Sequence, residues 1–136
     1  MSADRRRAYA VINGCSAPIW LAMILAPRSR LTAWLVRRAN LIFLGLGAAY
    51  DVLLVAGMVG AGRPLDFRDP EAVRAGLATP DLFLAGWAHY IAFDLFVGNW
   101  IWRDALDRGR GARLALLLTW LAGPAGLSLY LVQRRR

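Results

Sequence analysis

The chain has no lysine, one cysteine and one histidine among its 136 residues. A single cysteine excludes an internal disulfide, a redox dithiol and a multi-cysteine metal site. A single histidine excludes the multi-histidine sites of membrane di-iron desaturases and hydroxylases. A serine nucleophile motif and a glycine-rich phosphate loop are also lacking, so neither nucleophilic serine chemistry nor nucleotide binding is expected. The sequence therefore predicts no metal centre and no tightly bound cofactor.

Apolar residues are abundant instead. They make up 58% of the chain, against roughly 45–50% in ordinary soluble domains. The 17 cationic side chains are all arginines. Of these, 14 fall into four clusters: Arg5 to Arg7, Arg28 to Arg38, Arg103 to Arg113, and Arg134 to Arg136. Each cluster flanks an apolar stretch, as expected beside lipid headgroups. We expect membrane lipids as partners and no nucleic acid.

Four apolar runs are each close to the length that a helix needs to cross a membrane. They cover residues 8–26, 41–61, 82–102 and 114–132, approximately, and a span requires about 20 residues. Because lipid offers no hydrogen-bond partner to bare backbone groups, such runs must be helical. The sequence predicts an all-α fold, a four-helix transmembrane bundle, in which residues 1–136 form one integral membrane domain.

The predicted connections differ in character. Residues 27–40 and 103–113 are short and arginine-rich, whereas residues 62–81 form a longer connection with an acidic excess. In this middle loop Asp69 is a candidate helix cap, followed by a first-position proline and an early acid, which predicts a short surface helix from about Pro70 to Leu77. Arginine counts on the two sides are nearly equal, so they leave the orientation in the membrane open.

Pro18 and Pro124 lie near the middle of the first and fourth apolar runs. A proline in a helix interior removes one backbone hydrogen bond and crowds the preceding turn. Both positions therefore predict a kink. Each kink is structural in the simplest interpretation, and in a second interpretation it opens a pocket between helices.

The stretch GWAHYIAFDLFVGNWIWRDA, residues 86–105, places ionisable groups inside an apolar run. Such groups are costly in a membrane and normally face the interior of a bundle. Asp51 lies at the centre of the second run, and His89 and Asp94 lie near the centre of the third. If Asp51 and Asp94 meet, one carboxyl should keep its proton, as acid and base catalysis requires. A structural role explains each aspartate equally well, for example capping a broken helix.

Helical periodicity of about 100° per residue divides the third run into two faces. The first face consists of Trp87, Tyr90 or Ile91, Asp94, Gly98 and Ile101. The second consists of His89, Phe93, Phe96, Trp100 and Arg103. The second face is an aromatic strip that suits a flat or polyene ligand, and we predict ligand binding by Trp87, Tyr90, Phe93, Phe96, Trp100 and Trp120. At the end of the run, we expect Arg103 and Asp104 to form a headgroup-level ion pair.

This third-run motif, with LALLLTWLAGPAGLSLYLV after it, resembles the abscisic-acid-deficient-4-like proteins of plants, algae and bacteria. The resemblance rests on Trp87, His89, Asp94, Leu95, Phe96, Asp104, Gly123, Pro124, Gly126 and Leu127. It covers roughly residues 40–132. Members are four-span membrane proteins, and the plant proteins are called neoxanthin synthases. The resemblance implies carotenoid binding or carotenoid chemistry within a membrane.

For a synthase of that kind, the resemblance implies a cofactor-free isomerisation of a carotenoid. An epoxide opens, a proton leaves a neighbouring carbon, and an allene forms without net redox change. The step needs an acid and a base, and His89, Asp94 and Asp51 are the catalytic candidates. The arginine-rich, lysine-free composition is typical of a bacterial protein, so we expect a bacterial inner or photosynthetic membrane. The resemblance leaves the substrate open among the xanthophyll of the plant members, another carotenoid, and a carotenoid that is only bound.

Two other functions remain open. The chain is alternatively a non-catalytic subunit that binds a pigment or docks onto a larger photosynthetic complex, with His89 as a ligand of a chlorophyll magnesium. It is also compatible with a small transporter or proton path built on Asp51 and Asp94, which requires a homo-oligomer because the four runs contain no inverted repeat. Bound pigment supports the first alternative, and flux in liposomes supports the second.

Overall fold

The computed structural model describes residues 1–61 and 66–135, in which helix is the regular secondary structure. The helices are α1 (Ala3–Gly14), α2 (Ala17–Leu25), α3 (Arg30–Ala61), α4 (Pro70–Leu77), α5 (Pro80–Asp107), α6 (Arg113–Ala122) and α7 (Pro124–Arg134). The predicted all-α class is confirmed. The start of the predicted middle connection, residues 62–65, and the last arginine of the C-terminal cluster lie outside the described residues.

The chain divides into two compact units. Unit 1 consists of Met1–Cys15 and Phe43–Ile91, and unit 2 consists of Ser16–Ile42 and Ala92–Arg136. Leu82, Leu84, Ala85 and Ala88 are buried in unit 1, and Trp20, Met23, Leu95, Ile101 and Leu116 are buried in unit 2. In unit 2, α6 packs against both α2 and α7. That residues 1–136 form one integral domain stays a prediction.

Two helical segments are long and apolar enough to cross a membrane, Ala3–Leu25 and Arg30–Ala61. Only 28% and 11% of their most apolar windows are buried within the protein. The core helix of a soluble protein would bury far more of its apolar surface. The large apolar surface that these two segments leave open fits contact with lipid.

The prediction that residues 27–40 form a loop is wrong, because α3 already begins at Arg30. The Ser29 hydroxyl accepts a hydrogen bond from the Thr32 N–H at 3.0 Å and so caps the helix. The Thr32 hydroxyl lies 2.6 Å from the Ala26 carbonyl oxygen at the end of α2. The turn between the helices is therefore only a few residues long, and α3 extends for 32 residues, about 48 Å.

The predicted loop 103–113 is likewise shorter than expected, since α5 continues to Asp107. Arg108 donates from Nε to the Asp104 carboxylate at 2.9 Å across one helical turn, a spacing that stabilises the helix end. Gly109 then takes a left-handed conformation with φ of 66°, which ends the helix at little steric cost.

Both predicted kinks and the predicted surface helix are confirmed. The first apolar run is broken between α1 and α2, with Pro18 in the first turn of α2. The fourth is broken at Gly123, with Pro124 as the first residue of α7. Helix α4 has the predicted bounds, and the Asp69 side chain caps it by accepting from the Glu71 N–H at 2.9 Å.

Candidate functional site

Exposure along α5 differs between the two predicted faces. Phe93 and Phe96 are 61% and 62% exposed, whereas Ile101 on the other face is fully buried. His89 and Trp100 are also exposed, and Asp94 is half-buried. The aromatic strip of the second face is therefore exposed, whereas the first face is mixed, since its Tyr90 is 63% exposed. The expectation that every ionisable group faces the interior is wrong, because His89 and Asp51 both lie at the surface of the chain.

His89 lies on an apolar cleft of unit 1 between two tyrosines. Its ring centroid is 5.9 Å from that of Tyr50 on α3, and 6.4 Å from that of Tyr90, which it meets edge to face. The cleft has a volume of about 300 Å³. Its other walls are Leu54, Phe67, Val73, Leu77, Leu82, Ala85 and Gly86. An imidazole and two phenols therefore border an otherwise apolar space.

Helix α4 forms one side of this cleft through Val73 and Leu77. The sequence predicted α4 as a surface helix but not as part of a ligand site, and it also missed Tyr50 as a site residue. A signal was present, since Tyr50 directly precedes the central Asp51 of the second run. The tyrosine and the aspartate project to different sides of α3 because successive helix positions are rotated by about 100°.

Asp51 lies on a different surface of unit 1, a wide groove of about 770 Å³. The groove is bordered by Val52, Val55, Ala56, Val59 and Gly60 and by the ion pair of Arg5 with Asp81. Arg5 donates from Nε and Nη2 to the two Asp81 oxygens, each at 2.7 Å. These hydrogen bonds hold the pKa of Asp81 below its ordinary value. The structure does not bring Asp51 into the His89 cleft.

Trp87, predicted to bind ligand, belongs to an aromatic cluster in unit 1. Its indole N–H donates to the Asn13 side-chain oxygen at 3.1 Å. Its ring lies 5.7 Å from Tyr9 and 6.1 Å from Phe83, centroid to centroid. These contacts tie α1 to α5 within the unit. Trp87 is thus engaged in packing, while its neighbour Tyr90 borders the cleft.

Asp94 in unit 2 packs against the break between α6 and α7. Its Oδ1 atom would lie only 2.5 Å from a Cβ atom at Gly123. Gly123 also has φ of 28° and is the N-cap residue of α7. A carboxylate at a helix N-terminus is stabilised by the partial positive charge of the helix dipole. Asp94 thus lies beside the break of a helix, and both its structural and its catalytic role stay predictions.

Gly126 allows the two halves of this broken segment to pack closely. A Cβ atom at Gly126 would overlap the Thr119 backbone nitrogen and hydroxyl and the Ala115 carbonyl oxygen. The Thr119 hydroxyl is itself bonded to that carbonyl at 2.8 Å. Both glycines of the GPAG motif are therefore required. A side chain at Gly123 would collide with the Asp94 carboxylate, and one at Gly126 would collide with the α6 backbone. Two motifs that are far apart in sequence meet here.

Asp104 is the centre of a second polar cluster in unit 2. Its carboxylate accepts hydrogen bonds from the Tyr130 hydroxyl at 2.7 Å and from Nε of both Arg108 and Arg134 at 2.9 Å. The Arg134 hydrogen bond is the largest of the effects that lower the pKa of Asp104 well below its ordinary value. The predicted ion pair with Arg103 is wrong, since Asp104 pairs with Arg108 and Arg134 instead.

Two other predicted ligand-binding residues of unit 2 have partners within the protein. The Trp100 ring meets Tyr130 edge to face at 5.6 Å and lies under the Arg134 guanidinium. Trp120 stacks on the buried Trp20 with centroids 6.2 Å apart. Within residues 1–61 and 66–135, no group of three acidic, histidine or cysteine side chains is placed to hold a metal ion.

The matched family is described as ABA4-like, ABA DEFICIENT 4-like, and its model covers residues 7–130. No curated protein and no solved structure matches the chain. The matched range includes the His89 cleft as well as the junction of Asp94 with the GPAG motif. The chain therefore belongs to the ABA DEFICIENT 4-like family and is a carotenoid-related membrane protein.

Proposed function

We propose that the chain is a cofactor-free carotenoid isomerase that binds an end group of its substrate in the His89 cleft. The observation that carries this proposal is the position of the His89 imidazole between Tyr50 and Tyr90 on an apolar wall. A volume of about 300 Å³ is at the lower end of ligand-site volumes. It suits one cyclic end group, with the polyene chain outside.

The proposed reaction needs one proton donor and one proton acceptor. His89 removes a proton from the carbon next to the epoxide, and a phenol donates a hydrogen bond to the oxygen as its carbon–oxygen bond breaks. The phenol transfers its proton to the oxygen, which stays bonded to the other epoxide carbon as a hydroxyl group. The electrons of the broken C–H bond form the second double bond of the allene, and the proton held by His89 returns to the phenolate, so no oxidant or reductant is required. Asp94 and Asp51 remain further catalytic candidates, and the cleft geometry supports His89 before either of them.

The test is carotenoid conversion in a host that supplies an epoxidised xanthophyll. We expect His89→Gln to lower product formation about 100-fold or more, within the usual range for a general base. Tyr50→Phe, which keeps the ring and removes only the hydroxyl, should lower it less. Tyr9→Phe is the matched control. It removes a phenol hydroxyl elsewhere in unit 1, so this variant should keep full activity. Unchanged product in His89→Gln would refute the proposal.

A second candidate function is a non-catalytic pigment-binding subunit of a larger membrane complex. The specific observation in its favour is the outward aromatic face of Phe93 and Phe96, which suits contact with a pigment or a partner. Gentle purification from native membranes separates the two functions. A stoichiometric carotenoid without any turnover, or co-purification with a large complex, would favour the subunit.

For the membrane arrangement we propose four crossings in a bacterial cytoplasmic membrane: α1 with α2, α3, α5, and α6 with α7. The support is helix length, since α5 has 28 residues and the broken fourth segment runs from Arg113 to Arg134. An even number of crossings places both termini on one side. Reporter fusions at the two termini should therefore report the same compartment, and opposite compartments would contradict four crossings.

A further inference from the structure

Unit 2 contains a cationic cleft that the proposed isomerisation does not use. It has a volume of about 270 Å³ and lies where the turn after α2 meets the connection between α5 and α6. Three arginines border it, Arg28, Arg110 and Arg113. Its apolar wall consists of Met23, Trp102, Leu106 and Leu116. A charged rim above an apolar wall fits an amphiphile.

Two of the three guanidiniums donate hydrogen bonds to backbone carbonyls, which do not neutralise their charge. Arg110 donates from Nη1 to the Gln133 carbonyl at 3.1 Å, and Arg28 reaches the Gly109 carbonyl at 3.5 Å. Within the described part of the chain, no carboxylate forms a salt bridge with Arg28, Arg110 or Arg113. Asp104 of the same unit forms its ion pairs with Arg108 and Arg134. The cleft therefore keeps uncompensated positive charge that a bound anion would balance.

The position of the cleft along the chain matches the membrane surface. Pro27 and Arg28 lie between the two segments that are long enough to cross a membrane. The Trp102 indole N–H donates to the Pro27 carbonyl at 2.9 Å, and tryptophan is typical of the headgroup level. The buried Met23 and Leu116 continue from the cleft into the apolar part of unit 2. A phosphate at the rim would thus have acyl or prenyl chains beside it.

We propose that this cleft binds the phosphate group of an anionic amphiphile through Arg28, Arg110 and Arg113. Guanidinium groups suit phosphate because their planar donors form paired, charge-assisted hydrogen bonds. The first turn of α6 adds backbone N–H groups beside Arg113, since Ala112 caps this helix without a side-chain hydrogen bond. A membrane phospholipid and a soluble phosphate share this recognition chemistry, and the experiment distinguishes them.

The experiment uses the full-length protein in detergent with phosphatidylglycerol, phosphatidylcholine or inorganic pyrophosphate, and native mass spectrometry counts the bound molecules. We expect wild type to retain phosphatidylglycerol in preference to phosphatidylcholine. The double variant Arg28→Gln/Arg110→Gln should bind it about tenfold more weakly or worse, as expected for lost charge-assisted hydrogen bonds. Arg103→Gln is the matched control, because Arg103 is exposed on α5 and does not border the cleft.

Three results would overturn the proposal. They are measurable and equal retention of both lipids by wild type, unchanged binding in the double variant, and equal loss of binding in Arg103→Gln, which would indicate diffuse surface charge. Displacement of the lipid by pyrophosphate from unmodified protein supports the site without depending on a variant that folds. Arginine-dependent binding of pyrophosphate with no lipid retained also supports it, and assigns a soluble phosphate as the source.

Discussion

The His89 cleft of unit 1 and the Asp94 junction of unit 2 contain ionisable side chains in opposite settings. His89 borders an open space with two phenols beside it. Asp94 instead fills the space that Gly123 leaves at the break of a helix. A side chain that faces a cavity is available to a ligand, whereas one that packs against the backbone stabilises the fold. The two groups lie five residues apart on one helix, so their sequence neighbourhood alone does not separate these roles.

The largest expected effect on stability is at Gly126. Gly126→Ala places a methyl group against the Thr119 and Ala115 backbone, and such overpacking costs about 1–3 kcal/mol or more. Thermal unfolding in detergent measures it. The matched control is Gly45→Ala, where a Cβ meets no atom within 4 Å and alanine favours the helix. Equal losses of stability in the two variants would show that the junction tolerates a methyl group as well as an ordinary helix face does.

A smaller effect is expected at Asp94. Asp94→Ala should lower the free energy of unfolding by about 1 kcal/mol, the centre of the range for single substitutions, because alanine leaves the space beside Gly123 unfilled. Asp94→Asn should restore most of the loss because the amide has nearly the shape of the carboxylate and fills the same space beside Gly123. If Asp94 only packs at the helix break, both variants keep their carotenoid conversion once folded. If Asp94→Asn is stable but inactive, the aspartate acts in the chemistry and the contrast with His89 fails.

The smallest effect is expected at Asp104, which lies near water at the helix end. Its pKa is lowered in the folded protein, so its stabilising effect is complete above the unfolded-state pKa, near pH 4. It is lost as the pH falls toward the folded-state value. The difference in unfolding temperature between wild type and Asp104→Asn should therefore narrow from about pH 6 to about pH 3. A difference in unfolding temperature that does not change with pH would indicate that Asp104 stabilises the fold by packing and not by its charge.

Local features of the fold could be predicted from the sequence. Asp69, Pro70 and Glu71 predicted the start of α4 correctly, because a cap and its hydrogen bond lie within a few residues. The breaks near Pro18 and Pro124 followed from the missing N–H of proline. The early start of α3 was missed although Ser29 and Thr32 have the spacing of a helix cap, since the arginines there suggested a loop.

The candidate site was harder to predict. Residues of the right kind were identified, but the roles of Asp51, His89 and Asp94 depend on what each side chain meets. Tyr50 and His89 are 39 residues apart, and Asp94 and Gly123 are 29 apart. No local pattern connects such positions, because their contacts arise only when the helices pack. The Asp104 partners were missed for the same reason.

Composition and run length by themselves determined that this protein is helical and belongs in a membrane, because backbone hydrogen bonds must be satisfied within each apolar segment. The motif residues determined the family. Only the tertiary structure decided that His89 borders a cleft, that Asp94 and the GPAG motif form one junction, and that three arginines surround an uncompensated cationic cleft. Those arrangements depend on contacts between distant segments, which close packing selects and which helical periodicity does not encode.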